Sequence, residues 1–168
     1  MKILGIDPGT KVMGYGVIES DYDNVALVEY GVITPPDNTA IAARLSYILK
    51  ELQNVISRHL PEAVAVEQPF VARNVRSAMA IGHAQAIALL AAADRGIPAF
   101  EYTPAQVKQR VANYGASSKE QIQEMVRLQL GLDEVPRPDD AADALAVAIC
   151  HCQEMHVTDL LSAQEDNR

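Results

Sequence analysis

Three β segments joined by short turns open the chain, and this arrangement restricts the fold more than any other feature of the sequence. Short apolar runs span residues 2–6, 14–19 and 25–33, with turn signals at Pro8-Gly9 and at residues 21–24. Strands that follow each other this closely pair as antiparallel neighbours. The chain is therefore predicted to begin as a three-stranded meander.

Helices and strands alternate after the meander. The predicted segments are a helix at 40–59, a strand at 62–67, an alanine-rich helix at about 74–93, a strand at 99–102, a short helix after Pro104, a helix that begins at Ser117 and a helix at 139–151. Ser117 and Glu120 form a predicted capping box. This order predicts an α/β fold in which a mixed sheet, a meander plus parallel strands, carries helices on both faces.

Length and composition indicate one globular domain. The chain has 168 residues, of which 49% are apolar and 21% charged, which is ordinary for a domain of this size. We assign residues 1–153 to the domain and expect 154–168 to form a flexible tail. No window has the roughly 18 uncharged apolar residues of a membrane span, and Asp7 interrupts any signal-peptide core. We therefore expect a cytoplasmic protein without membrane contact, and no disulfide.

The net charge of −8 argues against a protein that coats nucleic acid through bulk attraction. The charge is unevenly distributed, however. Residues 73–127 contain seven basic and four acidic side chains, whereas the rest of the chain carries −11. A basic face on an acidic body is therefore compatible with the sequence.

Two predicted core strands end in a carboxylate. Asp7 follows residues 3–6, and Glu67 follows residues 63–66, all of them apolar or glycine. A third acidic group, formed by Asp139, Asp140 and Asp143, begins the last predicted helix. Asp140 and Asp143 share a face of this helix, but so do Asp139 and Asp143. Spacing alone does not distinguish Asp139 from Asp140.

A divalent metal ion would stabilise these carboxylates together, because Mg²⁺ and Mn²⁺ prefer oxygen ligands and are usually held by a few carboxylates and substrate phosphates. Each acid also has a structural explanation. Asp7 could cap a turn, and Asp139 could cap its helix. Glu67 could pair with Arg73 or Arg76. The coincidence of all three acidic groups favours the metal site.

Several motifs of the chain resemble those of the bacterial RuvC Holliday junction resolvases, in the same order and spacing, from Ile3 to about His151. The motifs are Gly5-Ile6-Asp7-Pro8-Gly9, Gly14-Tyr15-Gly16-Val17, Val66-Glu67-Gln68-Pro69-Phe70, Gln106-Val107-Lys108-Gln109 and Asp140-Ala141-Ala142-Asp143-Ala144-Leu145.

The resemblance implies a ribonuclease H-like fold and a homodimer that makes paired symmetric nicks in a four-way DNA junction. It implies that Asp7, Glu67, Asp140 and Asp143 bind two Mg²⁺ ions, for which Mn²⁺ would substitute, and it thereby favours Asp140 over Asp139. A pair of metals can activate water and stabilise the leaving 3′ oxygen, which gives 5′-phosphate and 3′-hydroxyl ends. A branch-migration helicase complex of the RuvA and RuvB type is the implied partner.

Further residues are assigned to DNA binding and to dimerisation. Lys108 and Lys119 match basic positions of the family near the DNA backbone, and the resemblance implies that Phe70 wedges the junction centre open. Arg73 and Arg76 flank the loop after Phe70 and could contact phosphate. The apolar helix at 74–93 is the predicted dimer interface, where we expect a charge at Leu89 or Ala86 to produce monomers.

Three other functions are compatible with parts of the sequence. Another nuclease or nuclease-like protein of the same fold, such as a ribonuclease H or a YqgF-type protein, would have similar carboxylates. An actin-like ATPase would share the Asp7-Pro8-Gly9-Thr10 turn, but 168 residues leave no room for its second lobe. A junction-binding scaffold without catalysis would not need the carboxylates.

Overall fold

The computed structural model describes residues 1–21, 24–68, 75–113, 115 and 117–165. Its five-stranded sheet has the order β3-β2-β1-β4-β5. The first three strands pair antiparallel, and β1, β4 and β5 pair parallel, which confirms the predicted meander followed by parallel strands. The strands are β1 (Lys2–Asp7), β2 (Met13–Asp21), β3 (Asn24–Ile33), β4 (Ala63–Glu67) and β5 (Ala99–Tyr102).

In the described part of the chain, five helices cover the two faces of the sheet, and each face has its own apolar core. One core lies between the sheet and α1 and α2, and the other between the sheet and α3, α4 and α5. The helices are α1 (Ile41–His59), α2 (Val75–Ala93), α3 (Pro104–Ala112), α4 (Lys119–Gln129) and α5 (Asp139–Glu165).

Side-chain alternation along β1 and β4 determines which face receives their terminal acids. Leu4 and Ile6 of β1 pack in the core under α1 and α2, whereas Ile3 belongs to the core under α5. Successive side chains of a strand point to opposite faces. Asp7 is therefore on the α5 face, and the same alternation places Glu67 of β4 there, because Ala65 belongs to the α5 core.

Glycines of β1 and β2 let α5 lie directly on the sheet. A Cβ atom at Gly5 would lie 2.1 Å from the carbonyl oxygen of Ala144, and one at Gly14 would lie 1.9 Å from that of Asp140. Neither position has space for any side chain. Because Gly14 pairs with Asp7 in the sheet, this contact brings the start of α5 next to the end of β1.

Two sequence predictions differ from the structure at helix ends. The capping box of α4 is formed by Ser118 and Gln121 rather than by Ser117 and Glu120. Helix α5 continues to Glu165, so residues 154–165 are helical where a tail was predicted. The side chain of Arg110 pairs with Glu154 at 2.6 Å, which ties the first part of this extension to α3.

Helix α2 is apolar around most of its circumference. In the described part of the chain it is the one helix long and apolar enough, by length and composition, to cross a membrane, with a mean hydropathy of 1.3. Its buried residues, however, are alanines that pack into the core of the domain. A helix that packs one face into the core of a globular domain can meet the same criteria of length and composition.

His151 of α5 is a buried histidine with aromatic neighbours. Its ring stacks on Phe100 with a centroid separation of 4.4 Å, and its Nδ1 lies 2.7 Å from the Tyr102 hydroxyl. Burial lowers the pKa of His151 below its ordinary value, and the negative charge of Glu154, itself paired with Arg110, offsets only part of this effect. The folded protein therefore disfavours protonation of this ring.

This burial predicts a loss of stability in acid. Because the unfolded chain takes up a proton near pH 6.5 and folded His151 does so only at lower pH, the free energy of unfolding decreases as the pH falls below 6.5, by at most about 1.4 kcal/mol per pH unit. Urea unfolding at pH 7.5 and 5.5 should show a smaller decrease for His151→Gln than for the parent. The exposed His156 of α5 provides the control, since His156→Gln should leave the decrease unchanged. Equal decreases in the parent and His151→Gln would contradict the assignment.

Candidate active site

Two carboxylates meet at the carboxyl end of the central parallel strand pair. Ile6 of β1 is in register with Val66 of β4, so the next residues, Asp7 and Glu67, end adjacent strands side by side. Their side chains are hydrogen bonded to each other.

Burial and mutual repulsion disfavour ionisation of both groups. Burial, followed by the charges of Glu67, Asp143 and Asp140, raises the pKa of Asp7 to about 8. Burial and the charge of Asp143 also raise the pKa of Glu67 to about 7, although the hydrogen bond from Asp7 and the charges of Lys119 and Lys108 act in the opposite direction. Both carboxyl groups are therefore harder to ionise than an exposed carboxyl group.

Helix α5 brings Asp140 and Asp143 towards this pair. Asp143 Oδ2 lies 2.8 Å from Lys119 Nζ, and the same ammonium is 3.5 Å from Asp139 Oδ2. Burial and the charges of Asp139 and Asp140 nevertheless raise the pKa of Asp143 despite the contact with Lys119. Burial alone would lower the pKa of Lys119, but the hydrogen bonds and charges of Asp143 and Asp139 together outweigh it and raise this pKa. Lys119 is thus the protein's own cation among these acids.

Asp139 and Asp140 have different surroundings. Asp139 forms ion pairs with Lys119 and with Arg137, and these two cations balance the negative charge of its carboxylate. Asp140 instead acts on Asp7, where its charge contributes to the raised pKa, and its backbone rests on Gly14. The two residues that spacing alone could not distinguish are therefore distinguished by their neighbours.

The acids suit a divalent metal by their chemistry. The donors are all carboxylate oxygens, two of them have strongly raised pKa values, and repulsion among them is what a hard cation would relieve. As the side chains stand, with Lys119 against Asp143, no three acidic, histidine or cysteine side chains of the described residues converge on one point as metal ligands do. The ion pair with Lys119 occupies one oxygen of Asp143 in this arrangement.

The predicted DNA-binding residues are only partly within the described structure. Lys119 begins α4 and Lys108 lies on α3, near enough to Glu67 to lower its pKa. Arg76 is exposed in the first turn of α2. Phe70 and Arg73 lie outside the described residues.

Sequence reasoning did not anticipate that Lys119 contacts the acids themselves. Its position as the first residue of α4, directly after the capping Ser118, could be read from the sequence within one residue. The adjacency of the α4 and α5 N-termini could not, because it depends on how the two helices pack on the sheet.

Comparison with known proteins identifies the family. The family model described as crossover junction endodeoxyribonuclease RuvC matches residues 3–151. The chain belongs to the RuvC family. The RuvC protein of Dehalococcoides mccartyi strain BAV1 is 57% identical over 162 residues, which cover 96% of this chain and 97% of that protein.

Solved RuvC structures share the fold. Thermus thermophilus RuvC in complex with a Holliday junction substrate superposes with a TM-score of 0.89 at 37% identity, covering 94% of this chain and 96% of that chain. The yeast mitochondrial Holliday junction resolvase Ydc2 matches with a TM-score of 0.63 at 13% identity, covering 93% and 85%, and supports the fold alone. The ribonuclease H-like sheet predicted from the sequence is thereby confirmed, and the actin-like ATPase interpretation is excluded.

Proposed function

We propose that this RuvC-family enzyme resolves four-way DNA junctions by two symmetric nicks in opposed strands, in homologous recombination and DNA repair. One observation carries the proposal: four acids lie around one edge of the sheet, namely Asp7, Glu67, Asp140 and Asp143. Burial and mutual repulsion raise the pKa values of Asp7, Glu67 and Asp143, and a bound cation would offset this repulsion. The junction bound to the T. thermophilus relative supports the choice of substrate.

The four carboxylates are the proposed catalytic and metal-binding residues. Two Mg²⁺ ions, for which Mn²⁺ would substitute, would supply a nucleophilic water and stabilise the leaving 3′ oxygen. Asp7 is central, because it hydrogen bonds to Glu67 and is affected by the charges of Asp140 and Asp143. Burial and the neighbouring charges raise its pKa to about 8, so a cation among the acids would favour its ionised, metal-binding form.

Lys119 and Lys108 are the proposed contacts to the DNA backbone near the cut. Lys119 is half-exposed, with its ammonium already at the acids, so displacement of this ammonium from Asp143 would free it for a phosphate. Arg76 is a further proposed contact. The roles of Phe70, as the wedge at the junction centre, and of Arg73 stay sequence-based predictions.

The direct test uses purified protein with a four-way junction and with linear duplex of the same sequence, each with and without Mg²⁺. We expect cleavage of the junction but not of the linear duplex, and only in the presence of Mg²⁺. The products should be nicked duplexes whose 5′-phosphate and 3′-hydroxyl ends are sealed by DNA ligase. Equal cleavage of linear duplex would indicate a different nuclease of this fold, and junction binding without cleavage would indicate a scaffold.

Helix α2 supports the homodimer that paired nicking requires. One face carries exposed apolar side chains at helical spacing, with Val75 70%, Met79 59% and Leu90 46% exposed, and Ala86 lies on the same face. Two active sites related by a twofold axis can cut opposed strands in one encounter. This exposed face is the proposed contact between two copies.

A charge on this face should produce monomers. Ala86 is exposed and suits the test, whereas Leu89 packs against the core, so a charge there would also disturb the fold and the exposed Leu90 is the better second position. Sedimentation of Leu90→Asp or Ala86→Asp should give the monomer mass, and on a cruciform plasmid these variants should produce nicked circles instead of linear product.

Leu128→Asp is the matched control, since Leu128 of α4 is 54% exposed on the opposite side of the sheet, and it should remain dimeric. A parent protein that is monomeric on the junction and still linearises the plasmid in one encounter would rule out the dimer.

Two further parts of the proposal rest on the family. A branch-migration helicase complex of the RuvA and RuvB type would deliver the junction, and the enzyme would act in the cytoplasm, where chromosomal DNA of bacteria is found. Co-sedimentation of the protein with such a complex on a four-way junction tests the first of these.

A further inference from the structure

A cleft of about 480 Å³ opens beside the turn that follows β1. Its walls are residues 10–12 of this turn, residues 34–38 between β3 and α1, and Arg44 of α1. Because β1 and β3 both run antiparallel to β2, their carboxyl ends lie at the same edge of the sheet. The cleft is therefore at the edge that holds Asp7, two strand spacings or about 10 Å along it.

The cleft contains two cationic side chains that are not neutralised. Within the described ranges, neither Lys11 nor Arg44 has an ion-pair or hydrogen-bond partner for its side chain. Four other arginines, in contrast, each pair with a carboxylate: Arg58, Arg110, Arg127 and Arg137. An arginine and a lysine that line one cleft without a paired carboxylate indicate a site for an external anion.

The hydroxyl group of Thr10 adds a neutral donor to the cleft. Thr10 lines it and is 9% exposed, and among the residues that the structure describes its hydroxyl has no hydrogen-bond partner. The adjoining N-terminus of α1 has no side-chain cap at Ala40 and no acid in its first turn, so its N–H groups add positive potential. The lining thus offers charged and neutral donors together.

We propose that this cleft binds a phosphate of the DNA backbone next to the one that is cut. The inference rests on the proposed function, which brings a DNA strand to Asp7. A DNA strand carries one phosphate per 3.4 Å of helix axis, so a strand whose scissile phosphate lies at Asp7 has further phosphates within the distance to the cleft. Lys11 and Arg44 hold one of them and fix the register of the strand relative to the acids.

Asp37 is the acidic residue among the described residues that line the cleft. It is exposed, and within the described structure it forms no ion pair with Lys11 or Arg44. Its charge opposes that of the phosphate, so its removal should strengthen binding. The cleft therefore allows substitutions of opposite expected effect.

The test measures junction binding without divalent ions at several salt concentrations. For Lys11→Ala/Arg44→Ala we expect an affinity about tenfold lower than the parent's and a salt dependence, log K against log salt, that is shallower by about 0.9, the loss of one phosphate contact. Asp37→Asn should bind more tightly than the parent. Lys50→Ala removes an exposed lysine of α1 outside the cleft and should match the parent.

Phosphate ethylation locates the contact. In the parent, ethylation of one phosphate beside the scissile position should interfere with binding, and in the double variant this interference alone should disappear. Binding and salt dependence equal to those of Lys50→Ala, or loss of interference at the scissile phosphate instead, would overturn the proposal. A parent that does not prefer the four-way junction would instead refute the proposed function. Urea midpoints equal to the parent's verify that the variants are folded.

Discussion

Replacing any one of Asp7, Glu67, Asp140 and Asp143 by the corresponding amide is expected to abolish junction cleavage, with a loss of at least about a thousandfold. A catalytic metal ion stabilises the transition state by several kcal/mol, and the loss of about 4 kcal/mol corresponds to a factor of about 1,000. An amide keeps the shape of the carboxyl group but removes the charge that holds the ion. Single-turnover cleavage of a four-way junction in Mg²⁺ measures this effect.

Two controls separate loss of chemistry from loss of the protein. Junction binding should be retained, because the proposed DNA contacts are basic side chains outside the acidic group. Melting temperatures without divalent ions should not fall, since an amide relieves the repulsion between the acids. Asp139→Asn should be much milder, because Asp139 pairs with Lys119 and Arg137. Full activity of Asp140→Asn together with an inactive Asp139→Asn would show that the wrong acid has been assigned.

Gly14→Ala is expected to reduce cleavage about a hundredfold even where the protein remains folded. The added Cβ would lie 1.9 Å from the carbonyl oxygen of Asp140, so the start of α5 must move by more than about 1 Å, and a misplacement of this size in a catalytic group costs about a factor of 100. Overpacking should also lower the free energy of unfolding by about 1–3 kcal/mol. Cleavage rates and urea unfolding measure the two effects separately.

Gly82→Ala is the matched control for this substitution. Gly82 lies within α2, and a Cβ there would have no atom within 4 Å. Alanine is favoured over glycine inside a helix by about 1 kcal/mol, so this variant should be at least as stable as the parent, and it controls for the unfolding measurement only, because Gly82 lies on the proposed dimer face of α2. A fully active Gly14→Ala protein would mean that the close approach of α5 does not position the acids.

The sequence was most informative where a local rule applies. Strand alternation and the position of Asp7 and Glu67 after apolar runs placed both acids at strand ends, and β1 and β4 do pair there in register. The capping residue of α4 was predicted one position too early, because Ser117 and Ser118 each have an acid or amide three residues later. The local pattern therefore fits both serines.

Contacts between distant segments could not be predicted in this way. The closeness of Gly14 to Asp140 joins segments 126 positions apart, and only the assembled sheet and helix reveal it. The choice between Asp139 and Asp140 depends on the same packing, since both share a helix face with Asp143. The continuation of α5 to Glu165 was missed because its polar composition resembles that of a tail.

The division of the molecule into two separate cores has a consequence for how it tolerates change. The acids and α5 belong to one side of the sheet, whereas α2 and its exposed apolar face belong to the other. Strand β4 borders both sides, with Val64 and Val66 under α2 and Ala65 and Glu67 towards α5. Substitutions on the outer surface of α2 can therefore change which partner it binds without disturbing the geometry of the acids. Substitutions in β4, in contrast, would alter the packing of α2 and the position of the acids together.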